Sequence, residues 1–257
     1  MSAVNPQELL ELAISIGRDA AAILSDRPAD LAAKTKANVR DIVTQMDIKA
    51  EKFIVESILA ARPDDGIIGE EGAERPSTSG ITWVIDPLDG TVDYFYDIPG
   101  WNVSIAAKDE HGSLVGVVTA PSINRTWWAT RGGGAFCNGV QISCNEPVPL
   151  GQALLATGFQ YDVDVRPPMI AKTSEILMVA RDIRRNGAAA VDICHVAMGS
   201  VDGYYEEGLK EWDHAAASLV AQEAGARFGL YRAAPHELTL AAGPSLYAEL
   251  SAFLELN

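Results

Sequence analysis

The densest chemistry in the chain lies in Asp86-Pro87-Leu88-Asp89-Gly90-Thr91. The apolar run Trp83-Val84-Ile85 leads straight into it, so two carboxylates and the carbonyl of Leu88 are aimed at one point from a strand end. That is the oxygen set a hard cation takes. Pro87 removes a backbone donor and Gly90 permits a tight turn, so strand pairing is expected to stop at Asp86. Taken alone, the same residues could simply cap a turn. Two further stretches change that balance. Ile67-Ile68-Gly69-Glu70-Glu71-Gly72 is another apolar run ending in paired carboxylates, and Glu211-Trp212-Asp213-His214-Ala215-Ala216 sets an Asp at the start of a helical pattern. Glu70, Asp86, Asp89 and Asp213 would repel one another if gathered unpaired, so their convergence makes sense around cations. Oxygen ligands favour Mg²⁺ or Mn²⁺ over Zn²⁺, because neither His nor Cys recurs at ligand spacing. The four His, His214 among them, read as surface or packing residues.

The chain of 257 residues can bury a substantial core, and 48% hydrophobic with 21% charged residues is ordinary for a globular enzyme. A formal charge of −15 argues against nucleic acid or an anionic membrane as partner. A phosphate ester would be repelled too, unless bound divalent cations invert the local sign. Cys137, Cys144 and Cys194 are too few and scattered for a disulfide framework or a zinc site, which suits a reducing cytoplasm and buried or half-buried thiols. Acidic Glu8, Glu11 and Asp19 interrupt the first periodic segment, so no signal peptide is expected there, and no run is long enough to span a bilayer.

The elements that must position these residues are legible by period. Leu9, Leu10, Ala13, Ile16, Ala20, Ile23 and Leu24 recur at helical spacing after an Asn5-Pro6 cap. A polar stretch around Lys34–Asn38 precedes a second helix expected over Ile42–Leu59, with Asp47 early in it, and a strand over Gly66–Glu70. Ala73–Gly80 reads as a loop. Val103–Lys108, Leu114–Thr119 and Thr126–Thr130 read as strands, the first two joined through Asp109-Glu110-His111-Gly112, and Asn138-Gly139 reads as a hairpin turn. Gly132-Gly133-Gly134 lacks the Lys-Ser/Thr and helix of a phosphate loop. Near Glu146-Pro147 the pattern changes from hairpins to alternating strand and helix, which divides the chain into residues 1–146 and 147–257. In the second part, strands are expected at Ala153–Thr157, Asp182–Arg185 and Val201–Glu206. Helices are expected at Pro168–Arg181, Ala188–Met198 and Asp213–Ala224, followed by two strands and a last helix from Ser245.

The three acidic motifs, in this order, resemble the inositol monophosphatase family of metal-dependent phosphatases over nearly the whole chain. The resemblance implies a layered α/β sandwich of the sugar-phosphatase type, an αβαβα architecture with an antiparallel α+β first half, an α/β second half and the site between them. It implies two or three Mg²⁺ ions: Glu70, Asp86 and the carbonyl of Leu88 on the first, Asp86, Asp89 and Asp213 on the second, and Glu70 on a third. Thr91, hydrogen-bonded to Asp47, would position the attacking water, with Glu70 also part of the catalytic set. A helix beginning at Thr91 would also aim backbone N–H groups at phosphate, which with Asp89, Gly90 and Asp213 forms the phosphate side of the substrate site. Gly187 and Ala189 lie in the small-residue turn Arg185–Ala190, whose N–H groups can approach a substrate or merely pack helix on sheet. Glu206 matches a family residue that contacts substrate hydroxyls, and Lys36 a lysine on a mobile loop.

Two departures stand out: Asp93 where the family usually has Asn, and Ala188 and Ala189 where hydroxyl residues are common. The expected activity is Mg²⁺-dependent hydrolysis of a small phosphorylated metabolite, foremost an inositol monophosphate, by a Li⁺-sensitive homodimer in the cytoplasm. Histidinol phosphate, fructose 1,6-bisphosphate and 3′-phosphoadenosine 5′-phosphate are rival substrates within the same chemistry. A metal-binding regulatory protein without turnover is the rival from another class.

Overall fold

Successive residues of a strand face opposite ways, and in β5 (Thr82–Asp89) both faces are apolar. Trp83 and Ile85 join a core with the helices α1 (Pro6–Ser25) and α2 (Gln45–Ala61), whereas Val84 joins a second core on the far face. A strand buried on both sides belongs to the middle of a layered molecule. The structure, a computed structural model, describes residues 5–36, 38–232 and 237–256.

Around β5 lie β3 (Gly66–Gly69), β4 (Glu74–Arg75), β6 (Asn102–Asp109), β7 (Gly112–Ala120), β8 (Arg125–Thr130), β9 (Ala135–Cys137) and β10 (Val140–Gln141). They form one eight-stranded sheet in the order β10-β9-β8-β7-β6-β5-β3-β4. A small pair, β1 (Ala33–Thr35) with β2 (Ile42–Thr44), stands apart, and the short helix α3 (Thr91–Tyr96) follows β5. The second sheet takes β11 (Leu154–Thr157), β12 (Asp182–Arg184), β13 (Gly203–Glu207), β14 (Arg227–Arg232) and β15 (Glu237–Ala242), in the order β12-β11-β13-β15-β14. Helices α5 (Ala189–Ala197) and α6 (Glu211–Glu223) fill the space between the sheets, joining Val84, Ala106 and Val118 to Tyr204 and Ala241 in one core. Outside the second sheet, α4 (Arg166–Leu177) and α7 (Pro244–Phe253) cover Tyr205 and Leu240 with Met169, Ile176, Leu246 and Leu250. Helix, sheet, helix, sheet, helix is the αβαβα order expected.

Several local expectations are corrected. β5 does not stop at Asp86: it runs on to Asp89, with a register shift against β6 between those two residues that accommodates Pro87. β3 pairs parallel with β5, so the first sheet is not wholly antiparallel. The β-branched Ile42, Val43 and Thr44 pair with Thr35, Lys34 and Ala33 instead of opening a helix, and α2 starts only after Thr44 caps it. Two residues of the loop expected at 73–80, Glu74 and Arg75, pair with β3. Helix α4 begins at Arg166, earlier than Pro168, because Pro167 and Pro168 sit in its first turn, where no N–H partner is needed. Asp213 lies in the first turn of α6, not at its first position. Gly132 and Gly134 donate to the Glu223 carboxylate at the end of α6 (2.7 and 2.9 Å), so the glycine run holds a side chain of this protein.

Two positions tie the layers together, and each carries an expected outcome. Gly116 on β7 lets α6 approach so closely that an added Cβ would meet the Ala216 carbonyl. Gly116→Ala should lower stability by about 1–3 kcal/mol through overpacking, seen as a lower urea midpoint at unchanged slope. Asp65 accepts from Arg62 Nε (2.8 Å), Arg62 Nη2 (3.1 Å), Ser79 Oγ (2.5 Å) and Trp83 Nε1 (2.9 Å). Burial alone would raise its pKa, but these donors and the Arg62 charge hold it below the ordinary 3.8. A carboxylate with a lowered folded pKa stabilises fully above its unfolded pKa and loses that contribution as pH falls through the folded value. Asp65→Ala should therefore cost about 2–3 kcal/mol at neutral pH by stranding the buried indole N–H and the guanidinium. The difference in melting temperature from the parent should shrink in acid, and a gap independent of pH would refute the assignment.

Candidate active site

Thr91 and Asp47 come from different elements and meet in the interior. Gly90 takes φ +84°, a left-handed turn that starts α3, so Thr91 stands at that helix's first position. Its hydroxyl lies 2.9 Å from Asp47 Oδ1 and 3.0 Å from the Leu88 carbonyl, so its one hydrogen is directed at either acceptor. Asp47 is held from behind: Oδ2 accepts from the Thr44 N–H (2.8 Å) and the Thr44 hydroxyl (2.6 Å). Burial raises the Asp47 pKa, and the Thr44 and Thr91 bonds oppose that rise.

The four carboxylates singled out in the sequence are brought to face one another. Asp86 is fully enclosed, and its Oδ1 accepts from the Leu88 N–H across Pro87 (3.0 Å). Burial first, then Glu70, Asp89 and Asp213, hold its pKa well above the usual carboxylate range, and a hydrogen bond with Glu70 adds to this. Asp89 Oδ2 accepts from Asn102 Nδ2 and from the Ala190 N–H at the start of α5 (both 2.9 Å). Burial nevertheless pushes Asp89 up to about 6. Asp213 accepts from the Lys210 N–H (2.6 Å), and burial with the charges of Asp89, Glu70 and Glu206 raises it well above its ordinary value. Glu70, just past β3, accepts from Lys36 Nζ (2.9 Å), which also reaches Glu71 (2.7 Å). Burial works against the charge on Lys36, but the two carboxylates prevail and raise its pKa.

The donors fit a hard divalent cation: oxygen only, anionic, mutually repelling and enclosed. Among the described residues, no three acidic, His or Cys side chains already close on a single point as a ligand cage. Lys36 is the positive charge against Glu70. A bound ion would draw these side chains together against their repulsion. Among the described residues no histidine joins the carboxylates: His214 packs against Phe228, His195 against Trp127 and His111 is exposed, while His236 lies outside the described residues. All three cysteines are free, two buried and Cys144 half-buried.

Beside the carboxylates opens a cleft of about 550 Å³, mouth included, lined by Asp89, Gly187, Ala189, Glu206 and Asp213 among others. These are five of the residues singled out for substrate. Gly90, Thr91 and Lys36 are not in its wall: Gly90 is packed against Ala188 and Trp101, and Lys36 lies over Glu70 and Glu71. The turn before α5 does not leave all its N–H groups free for a ligand, since that of Ala190 is given to Asp89. Glu206 accepts from the Tyr204 hydroxyl (2.5 Å), and burial raises it to about 7. Among the lining residues the sequence reading passed over are the Arg185 side chain and Asp192, beside Phe159, Gln160 and Tyr161. Asp192 accepts from Asn186 Nδ2 (2.5 Å), and burial raises it to about 8. Its signal was an acid inside the otherwise apolar Ala190–Ala197 stretch, broken further on only by His195.

The fold and site can be set beside known proteins. The model of the inositol monophosphatase family matches residues 5–253. An inositol-1-monophosphatase of Mycobacterium leprae is 38% identical over 242 residues, covering 86% of this chain and 83% of that protein. A Nus factor SuhB of Haemophilus influenzae is 38% identical over 226 residues, covering 86% and 84%. Among solved structures, the suppressor protein SuhB of Bartonella henselae superposes with a TM-score of 0.90 at 28% identity, covering 96% of this chain and 98% of its own. SuhB of Mycobacterium tuberculosis superposes at 0.85 with 33% identity and 98% of both chains. With nearly its full span matched and the acidic motifs gathered beside one cleft, the chain belongs to the inositol monophosphatase family, whose members generally depend on metal, and is a phosphoric monoester hydrolase.

Proposed function

We propose that the protein hydrolyses a small phosphomonoester with Mg²⁺, its leading substrate an inositol monophosphate. The observation that carries this is the enclosed Asp86, near enough to Glu70, Asp89 and Asp213 for their charges to act on it. The Mycobacterium leprae relative's name supports the substrate. In this reading Glu70, Asp86, the Leu88 carbonyl, Asp89 and Asp213 hold two or three Mg²⁺ ions, Mn²⁺ being an acceptable replacement. Bound there, the ions would neutralise phosphate oxygens and lower the pKa of a water. The chain's own residues do the rest. Thr91, its hydrogen directed at Asp47, turns a lone pair outward to accept from the attacking water; as the water gives its proton to Thr91, Thr91 passes its own to Asp47. Asp89 and Asp213 meet the phosphate end, with the N–H groups of Gly90 and Thr91 behind them. Gly187, Ala189 and Glu206 receive the alcohol portion, and Lys36 closes over Glu70.

Residues 1–146 supply the metal half and residues 147–257 complete the pocket. We place the enzyme in the cytoplasm as a Li⁺-sensitive homodimer. The free thiols support the compartment, and the exposed Leu177-Met178-Val179 supports the pairing. A second reading, a regulatory protein without turnover, has only the name of the Nus factor relatives behind it.

Phosphate release from inositol monophosphate, histidinol phosphate, fructose 1,6-bisphosphate and 3′-phosphoadenosine 5′-phosphate, with and without Mg²⁺, tests the proposal. Turnover of one substrate far above the rest, lost without metal, is the expected result. Metal binding with no release from any of them would favour the regulatory reading. Thr91→Ala should lower kcat by about 10²–10⁴ with KM little changed.

Metal binding has a separate readout. Because the carboxylates repel in the metal-free protein, Asp86→Asn should raise its melting temperature while abolishing the upward shift that Mn²⁺ gives the parent. A variant that melts lower without metal, yet still responds to Mn²⁺, would remove Asp86 from the ligand set.

A further inference from the structure

Asp93, on the buried side of α3, is 4% exposed, and its Oδ2 has no hydrogen-bond partner. A carboxylate oxygen kept from water without a donor is costly unless a charge compensates it. The compensating charge is Arg185. Gly187, at φ +106°, separates the two: a Cβ built there would stand 2.5 Å from Asp93 Oδ2 and 2.8 Å from Arg185 Nη1. Carboxylate and guanidinium thus face each other across a space that the glycine leaves empty. Arg185 forms part of the cleft wall, in company with Asp192 and Glu206 and beside Asp89 and Asp213. A guanidinium has N–H donors on more than one edge. No hydrogen bond joins the two, so Arg185 acts on Asp93 through its charge, and its N–H donors remain for whatever fills the cleft.

We propose that Asp93 is a positioning residue for Arg185, and that Arg185 determines specificity by donating to an oxygen on the alcohol portion of the substrate. This rests on the phosphatase reading above and adds to it a residue pair outside the metal ligands and the water-positioning pair. Asp93 holds the guanidinium back against the wall beneath Gly187, so the donors point along the cleft and do not collapse onto Glu206 or Asp192. The substrate class that follows is a phosphomonoester of a hydroxylated alcohol. An ester whose alcohol has no further oxygen at that place gains nothing from the pair.

The test is a double-mutant cycle with Asp93→Asn, Arg185→Ala and the combined variant, on an inositol monophosphate and on p-nitrophenyl phosphate, with melting temperatures recorded for each. For the inositol ester, each single change should raise KM about five- to tenfold and leave kcat within about twofold. The combined variant should be no worse than Arg185→Ala alone. For p-nitrophenyl phosphate all four proteins should behave alike. Independent, multiplying effects on the inositol ester, or equal losses on both esters, would overturn the proposal in favour of a general structural role.

A second readout needs no turnover. An arginine-selective dicarbonyl, followed by peptide mass spectrometry, should modify Arg185 several-fold faster in Asp93→Asn than in the parent. Unchanged labelling overturns the pairing. If the parent releases phosphate from neither ester, the phosphatase reading fails while the labelling still decides whether Asp93 holds Arg185.

Discussion

The repulsion around Asp86 is the constraint on which the rest of the structure depends. Four carboxylates facing one another, one of them fully enclosed, form an arrangement that a chain reaches only if the surrounding packing forces it. Here the forcing element is β5, apolar on both faces, which fixes Asp86 and Asp89 where it reaches the register shift at Pro87. Two neutral donors, the Asn102 amide and the Ala190 N–H, steady Asp89 without cancelling its charge. A salt bridge in that place would satisfy the carboxylate and remove the reason to bind a cation. The one ammonium present, on Lys36, reaches the periphery at Glu70 and Glu71 from the polar turn after β1.

Tying the carboxylates to both sheets has a further consequence. Asp89 belongs to the first sheet, but its hydrogen-bond partner Ala190 opens α5, which packs against the second. Asp213 lies in the first turn of α6 in the same layer, and Gly116 lets α6 press directly onto β7. Asp89 at the end of β5, Asp213 in the first turn of α6 and Glu70 just past β3 are thereby placed by element ends, Asp86 by the strand itself, and each element is placed by the core. The Asn38 side chain donates to the Tyr161 carbonyl (3.0 Å), a polar contact between the β1–β2 turn and the second half at the rim of the cleft. Such rim contacts are easily exchanged, which suits a place a substrate must pass.

What the sequence made legible follows from how local each signal is. The acidic motifs sit at ends of apolar runs, so both their chemistry and their placement could be read together, and the Thr91–Asp47 contact lies where the resemblance implied. Hairpins at Asp109–Gly112 and Asn138-Gly139 were marked by turn residues. Ile42–Thr44 was misread because three β-branched residues, the last of them the capping Thr44, continue a helical pattern by count, and only pairing with Ala33–Thr35 makes them a strand. The continuation of β5 past Pro87 depends on a register shift that no local pattern announces. Asp192 and the Arg185 side chain were passed over for the same reason. Their meaning comes from what the fold sets opposite them, Asn186 for one and Asp93 for the other. Asp93 drew notice in the sequence as a departure from the family's usual Asn. In the fold it faces Arg185 across Gly187.

The lining of the cleft also bears on which phosphate ester fits. Burial raises Glu206 to about 7 and Asp192 to about 8, so near neutral pH both carry a proton part of the time. A carboxyl in that condition can donate as well as accept, which matches hydroxyl groups, themselves both donor and acceptor. Against these two acids stands Arg185, the cation among the groups lining that wall. A second phosphate on the alcohol portion would bring two negative charges toward a wall whose acids it would have to keep protonated, with one guanidinium to offset them. On a protein of net charge −15, the long-range field opposes it as well. In the proposed reading, the attraction for one phosphate would come from cations held by Asp86 and its neighbours, and it would fall off away from them. That asymmetry argues for an ester with a single phosphate and several hydroxyls, and against the bisphosphate and nucleotide substrates that share the same hydrolytic chemistry.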